Sequence, residues 1–220
     1  MSLNKQWTHI FKKCNIIKTI ETTGFFELTA EKIKECKKDY DDKTNSQFEP
    51  RLLCYQTSEK ERPLIFQENN IYMLPIKNGQ YLLSKTNIYQ PLNYDNSEPI
   101  IINGDNDSIL NKIGLGETSV INNLRFAGLF ESANYFNEPI THINPLFGRH
   151  RCSFNMKFGI GDKNIKIEGV QYEIDFTFES KNKIMIIECK NTDKELSNFN
   201  IRQLYYPELK LDKNYIKTSD

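Results

Sequence analysis

The sequence predicts an α/β chain, and two hairpins and three helical stretches carry that prediction. Residues 172–190, YEIDFTFESKNKIMIIECK, alternate with a period of two and read as a β-hairpin turning at 180–183. Asn78-Gly79, between IYMLPIK and QYLLSK, reads as a second hairpin with a type I′ turn. Residues 4–20, residues 30–40 and the stretch opening at Glu117 carry apolar residues at helical spacing.

In chain order, Trp7, Ile10, Phe11, Cys14 and Ile17 form the buried stripe of the first helix, which Glu21 to Gly24 stop. Phe25–Leu28 is short and apolar. Thr29 is the expected N-cap of the helix Ala30–Tyr40, with Glu31 in its first turn and Lys32, Lys34, Lys37 and Lys38 along it. This pair reads equally as a helix-turn-helix or winged-helix element, with Lys34 and Lys38 on phosphate, or as an amphipathic pair with solvated lysines. Residues 39–47 are an acidic loop. The region from there to Tyr94 is expected to be β-rich, and a short apolar run at 100–102 follows. The helix from Glu117 is expected to bury Val120, Leu124, Ala127, Leu129 and Phe130. Residues 134–151 read as irregular, with a basic run at Arg149-His150-Arg151. Cys152–Ile160 and Lys163–Gln171 read as strands, with Gly169 ending the second. Residues 198–211 fit a helix that Pro207 should break or kink. The domain boundary is expected near residue 104, between a helical and β-hairpin region (1–104) and a sheet region (105–220).

Composition bounds the function. The 220 residues are 38% hydrophobic and 12% aromatic, enough for a core. Lys+Arg and Asp+Glu balance at 29 each, so any contact with a polyanion must use a local basic patch. The five cysteines are scattered, with no CxxC, which argues for a reducing compartment and against a disulfide framework or zinc ribbon. His142, His150 and Cys152 lack the spacing of a metal site. With no 18-residue apolar run and no signal-peptide profile, the expectation is a cytoplasmic chain with no membrane partner. The Met-Ser-Leu start reads as vector-derived.

The chemistry concentrates in 172–190. Ile184–Ile187 is apolar on both faces and is expected to be a central strand, yet it runs into Glu188-Cys189-Lys190. In-register pairing sets Asp175 beside Glu188. Two carboxylates so placed repel, and a divalent cation relieves the repulsion. A lysine beside that cation can orient water for attack on phosphorus.

Asp175, twelve intervening residues, then Glu188-x-Lys190 resembles the PD-(D/E)xK nuclease signature, departing from it at Ile174, where the motif is written with proline. Glu49-Pro50-Arg51-Leu52 followed by an Asn-Gly hairpin resembles the amino-terminal part of a group of bacterial type II restriction endonucleases. The resemblance implies a restriction-endonuclease-like mixed sheet flanked by helices, and hydrolysis of double-stranded DNA at a specific sequence. Asp175, Glu188 and the Cys189 carbonyl would hold Mg²⁺, with Mn²⁺ able to substitute, and Lys190 would assist the nucleophile. Relatives place a glutamate at the start of the first core helix, here Glu117, and a glutamine on the helix after the motif, here Gln203, one residue tighter than usual. Arg149, Arg151 and Arg202 are further candidate DNA contacts. A homodimer and a cognate DNA methyltransferase in the same cell also fit the resemblance. The family core usually continues beyond Leu211, so a minimal or C-terminally truncated core is expected. A repair or junction-resolving nuclease and an inactive DNA-binding module are the alternatives.

Overall fold

In the computed structural model, which describes residues 3–40, 48–56, 58–92, 116–132, 136–143, 148–159, 163–189 and 198–216, the architecture is mixed α/β. The stretch expected as one helix forms two, α1 (Asn4–Lys13) and α2 (Ile16–Thr23). The break falls at Asn15, which takes a left-handed conformation (φ 51°). Asparagine tolerates that conformation better than most residues. Gly24, at φ 83°, ends α2 by donating its N–H to Ile20 O. Strand β1 (Phe25–Thr29) follows, and Thr29 caps α3 (Ala30–Lys38), its Oγ1 accepting from Lys32 N–H at 3.2 Å.

The region after the acidic loop is more helical than its composition suggests. α4 (Pro50–Leu53) starts with proline at its first position and Glu49 at its cap, a 3-10 turn covers Glu59–Glu61, and α5 is Leu64–Glu68. Strands β2 (Tyr72–Lys77) and β3 (Gln80–Ser84) form the expected hairpin. Of its two turn residues only Gly79 has positive φ (71°), so the turn is not the primed type, and the register shifts between Pro75 and Lys77 to accommodate it. β1 pairs with β3, giving the order β1-β3-β2, with α3, α4 and α5 between β1 and β2. Among the described residues the sheet continues past these three: β2 pairs in parallel with the strand Lys163–Ile174, Lys77 beside Glu168, so that the sheet is five-stranded and mixed.

The next strand is β4 (Tyr89–Pro91), and the apolar run at 100–102 lies outside the described residues. α6 (Glu117–Phe126) turns Ile121 into the core, whereas Val120, expected there, is 41% exposed, and Ala127 falls beyond the helix end on the surface. β5 is His142–Ile143, and β6 (Gly148–Phe158) begins inside the stretch read as irregular. β7 (Lys163–Ile174) does not stop at Gly169; that residue sits within it at φ 61° and donates its N–H to Ser153 Oγ at 2.9 Å. β8 is Phe176–Glu179 and β9 Ile184–Ile187. The final stretch splits into β10 (Asn198–Asn200) and α7 (Arg202–Ile216). α7 continues through Pro207, whose burial beside Tyr206 favours keeping the helix despite the lost N–H.

The chain forms two compact units, and neither is one continuous segment. The first comprises Met1–Leu92, Arg151–Gln171 and Leu196–Arg202. Its core gathers Trp7, Ile10 and Phe11 of α1, Ile16 and Ile20 of α2, Ile33 and Cys36 of α3, and Phe66. Trp7 is fully buried, packs edge-on against Phe66 at 4.7 Å between ring centroids, and donates from Nε1 to Leu53 O at 3.2 Å. Each such apolar side chain contributes about 1.5–3 kcal/mol by leaving water.

The second unit comprises Asn93–His150, Tyr172–Glu195 and Gln203–Asp220. Its described sheet runs β5-β8-β9. Among the described residues β9 is therefore an edge strand, not the expected central one, and Ile184 at its start is 42% exposed. β8 takes the central place, and Phe176 and Phe178, with 4% and 0% exposure, supply the deep burial.

Candidate active site

The site is built at the open end of the β8–β9 hairpin. Phe176 pairs opposite Ile187, Thr177 opposite Ile186, Phe178 opposite Met185 and Glu179 opposite Ile184. The turn that fixes this register is held twice: Ser180 N–H donates to Lys183 O at 2.9 Å, and Lys183 N–H donates to Ser180 Oγ at 3.1 Å. Extended by one position, the register sets Asp175 opposite Glu188. Strand alternation puts both on the face shared with Thr177 and Ile186. On the other face Phe176, Phe178, Met185 and Ile187 pack with Ile121, Phe130 and Phe136, which seats α6 there.

Both carboxylates are half-buried and held by named donors. Asp175 interrupts the run from β7 to β8, and its Oδ2 accepts from the Cys189 backbone N–H at 2.7 Å. That bond closes the strand ends just where the ladder stops. Glu188 Oε1 accepts from Gln203 Nε2 in the first turn of α7. Three elements thus converge: the start of β8, the chain leaving β9 and the start of α7.

Glu117 opens α6, half-buried, where the helix dipole favours an acid. Lys190 lies outside the described residues. Among the described residues no group of three or more His, Cys, Asp or Glu gathers to hold a metal. A metal here would have two carboxylates and a backbone carbonyl from the protein, an all-oxygen set. Mg²⁺ is suited to that, since it takes one or two carboxylates and completes its shell with water and phosphate.

The candidate DNA contacts fall elsewhere in the chain. Lys34 and Lys38 are both exposed on α3, one turn apart, while Ile33 and Cys36 point into the core. Glu31 and Glu35 are exposed on the same helix. Arg149 is in β6, its side chain outside the described residues. Arg151 is exposed and donates from Nη1 to Gly169 O at 3.2 Å. Arg202 opens α7, half-buried, and its Nε is buried without a hydrogen-bond partner among the described residues.

Two residues near the site gave no signal in the sequence. Thr177, 2% exposed and on the carboxylate face, has a hydroxyl with no hydrogen-bond partner among the described residues. Glu138 clasps the hairpin turn, its Oε1 accepting from Ser180 Oγ at 2.6 Å and its Oε2 from Asn182 Nδ2 at 3.1 Å. These hydroxyl and amide donors, with Lys183 nearby, hold the Glu138 carboxyl below its ordinary value.

A family model described as a domain of unknown function (DUF6997) matches residues 84–218. The chain belongs to that family. A second model, a domain of unknown function (DUF6996), matches residues 4–83, the stretch from α1 to the β2–β3 hairpin. The DUF6997 segment contains the whole carboxylate site. No curated protein and no solved structure matches the chain.

Proposed function

We propose that this chain is a Mg²⁺-dependent endonuclease of the PD-(D/E)xK type, hydrolysing phosphodiester bonds of double-stranded DNA at a specific sequence. The observation that carries the reading is the register of β8 and β9, which faces Asp175 with Glu188 at a strand end. Nothing in the hairpin's own packing calls for two carboxylates there, since its core lies on the other face.

Each residue then has a task. Asp175, Glu188 and the Cys189 carbonyl would hold the metal, which when bound polarises phosphoryl oxygens and lowers the pKa of its water. The Cys189 N–H fixes the rotamer of Asp175, and Gln203 fixes that of Glu188, so neither carboxylate needs to be ordered when substrate arrives. Lys190, next in the chain, would supply an ammonium to the attacking water. Since the chain is neutral overall, DNA must be held by local charge, for which Lys34 and Lys38 of α3, Arg149, Arg151 and Arg202 are the candidates.

Digestion of several defined plasmids tests the reading. Discrete fragments in Mg²⁺, absent with a chelator, are expected. Intact plasmids across a range of sequences in both Mg²⁺ and Mn²⁺ would overturn it.

A further inference from the structure

Cys14 closes α1 and Cys36 lies in the last turn of α3, 22 residues later in the chain. Their Sγ atoms are 3.7 Å apart, in contact, and both are free thiols. Cys36 is 1% exposed among the core residues of the first unit, whereas Cys14 is half-buried at its edge. Burial, then the neighbouring Cys14 sulfur, pushes the Cys36 thiol up to about 12. Lys13 holds a fixed position beside the pair: its ammonium donates to Glu35 O at 3.1 Å and pairs with Asp39. Cys14 is thus the less buried of the two, Cys36 lies deeper behind it, and the Lys13 cation stands near both.

We propose that Cys14 and Cys36 are a redox pair that closes to a disulfide under mild oxidation by a small-molecule disulfide, fastening α1 to α3. A disulfide bond is about 2.05 Å long, so closure asks the sulfurs to approach by roughly 1.6 Å, within reach of side-chain rotation and a slight helix shift. The steps balance. The Cys14 thiolate attacks one sulfur of the oxidant, forming a mixed disulfide and expelling one thiolate. Cys36 then gives up its proton and attacks Cys14 Sγ, expelling the second. Two protein thiols are oxidised and one small disulfide is reduced to two thiols. Capping Cys14 as the mixed disulfide also removes the like-charge part of the barrier to ionising Cys36. The remaining cysteines 54, 152 and 189 take no part.

The inference stands apart from the nuclease reading and is tested without any assay of cleavage. Folded protein is incubated with oxidised glutathione, then unfolded in denaturant, alkylated, and examined by intact mass and by mapping of non-reduced peptides. The expected result is a loss of the mass of two hydrogens before alkylation, three alkylated cysteines of the five, and one cross-linked peptide joining Cys14 to Cys36. The thermal midpoint should rise by roughly 5–10 °C and return on reduction, because the cross-link restricts the unfolded chain. Cys36→Ala should instead retain glutathione on Cys14. Five alkylated cysteines in the wild type, a lasting glutathione adduct on its Cys14, or a cross-link between other cysteines would each overturn the proposal.

Discussion

Thr177 stands at 2% exposure in the strand that carries the site, its hydroxyl unpartnered among the described residues. A buried hydroxyl without a hydrogen bond costs about 1–3 kcal/mol, and valine keeps the β-branched shape without that cost. Thr177→Val should therefore be more stable, raising the melting temperature by roughly 2–4 °C for each kcal/mol recovered in a chain of this size. A lowered melting temperature would mean that the hydroxyl is bonded after all. Glu138 gives a second test through pH. Its carboxyl is held below the ordinary value of 4.5 by Ser180, Asn182 and Lys183, so the folded state binds fewer protons there than the unfolded state. The stability it contributes is complete above that value and is lost as pH falls through the folded pKa. Thermal melts of wild type and Glu138→Gln should thus differ most at neutral pH and converge in acid; a constant gap down to acid pH would contradict the clasp. Neither residue was legible in the sequence, because each depends on groups the chain brings from elsewhere. Glu138 meets Ser180 across 42 residues.

At the scale of elements, what could be read was what local rules decide. The Thr29 cap, the Gly24 stop and the 180–183 turn are set by side chains a few residues apart, and a period of two fixed which residues share a strand face. Asp175 and Glu188 were therefore found as a facing pair, while the Gln203 hydrogen bond was legible only through a resemblance. Other features escaped because packing decides them. Asn15 breaks a helix whose apolar spacing runs straight through it, Pro207 sits inside a helix that its neighbours keep, and Ile184–Ile187 is apolar without being central among the described strands. α3 carries the prediction for this scale. If Lys34 and Lys38 bind phosphate, reversing both charges should weaken DNA binding on all sequences and lower the salt slope by roughly 1 for each phosphate no longer neutralised. Unchanged affinity and slope would remove α3 from the interface and shift attention to Arg149 and Arg151.

For the molecule as a whole, packing gathers the chain into two units that its order does not separate. Residues 151–171 and 196–202 join the N-terminal unit, although both lie within the DUF6997 match. The sequence suggests a single boundary near residue 104, whereas the first unit's opening segment ends at Leu92 and the two family matches meet at residues 83 and 84; no local signal marks strands that return to an earlier unit. Among the described residues no helix is long and apolar enough to cross a membrane. With Lys+Arg and Asp+Glu equal, the proposed activity rests on a small constellation and not on a global field. The most direct measurement compares Mg²⁺-dependent cleavage of a plasmid by wild type, Asp175→Ala and Glu188→Ala, with circular dichroism and DNA binding measured on the same samples. The account predicts that wild type cuts, that both variants keep their fold and DNA affinity, and that both lose cleavage. Cleavage retained by both variants would contradict it.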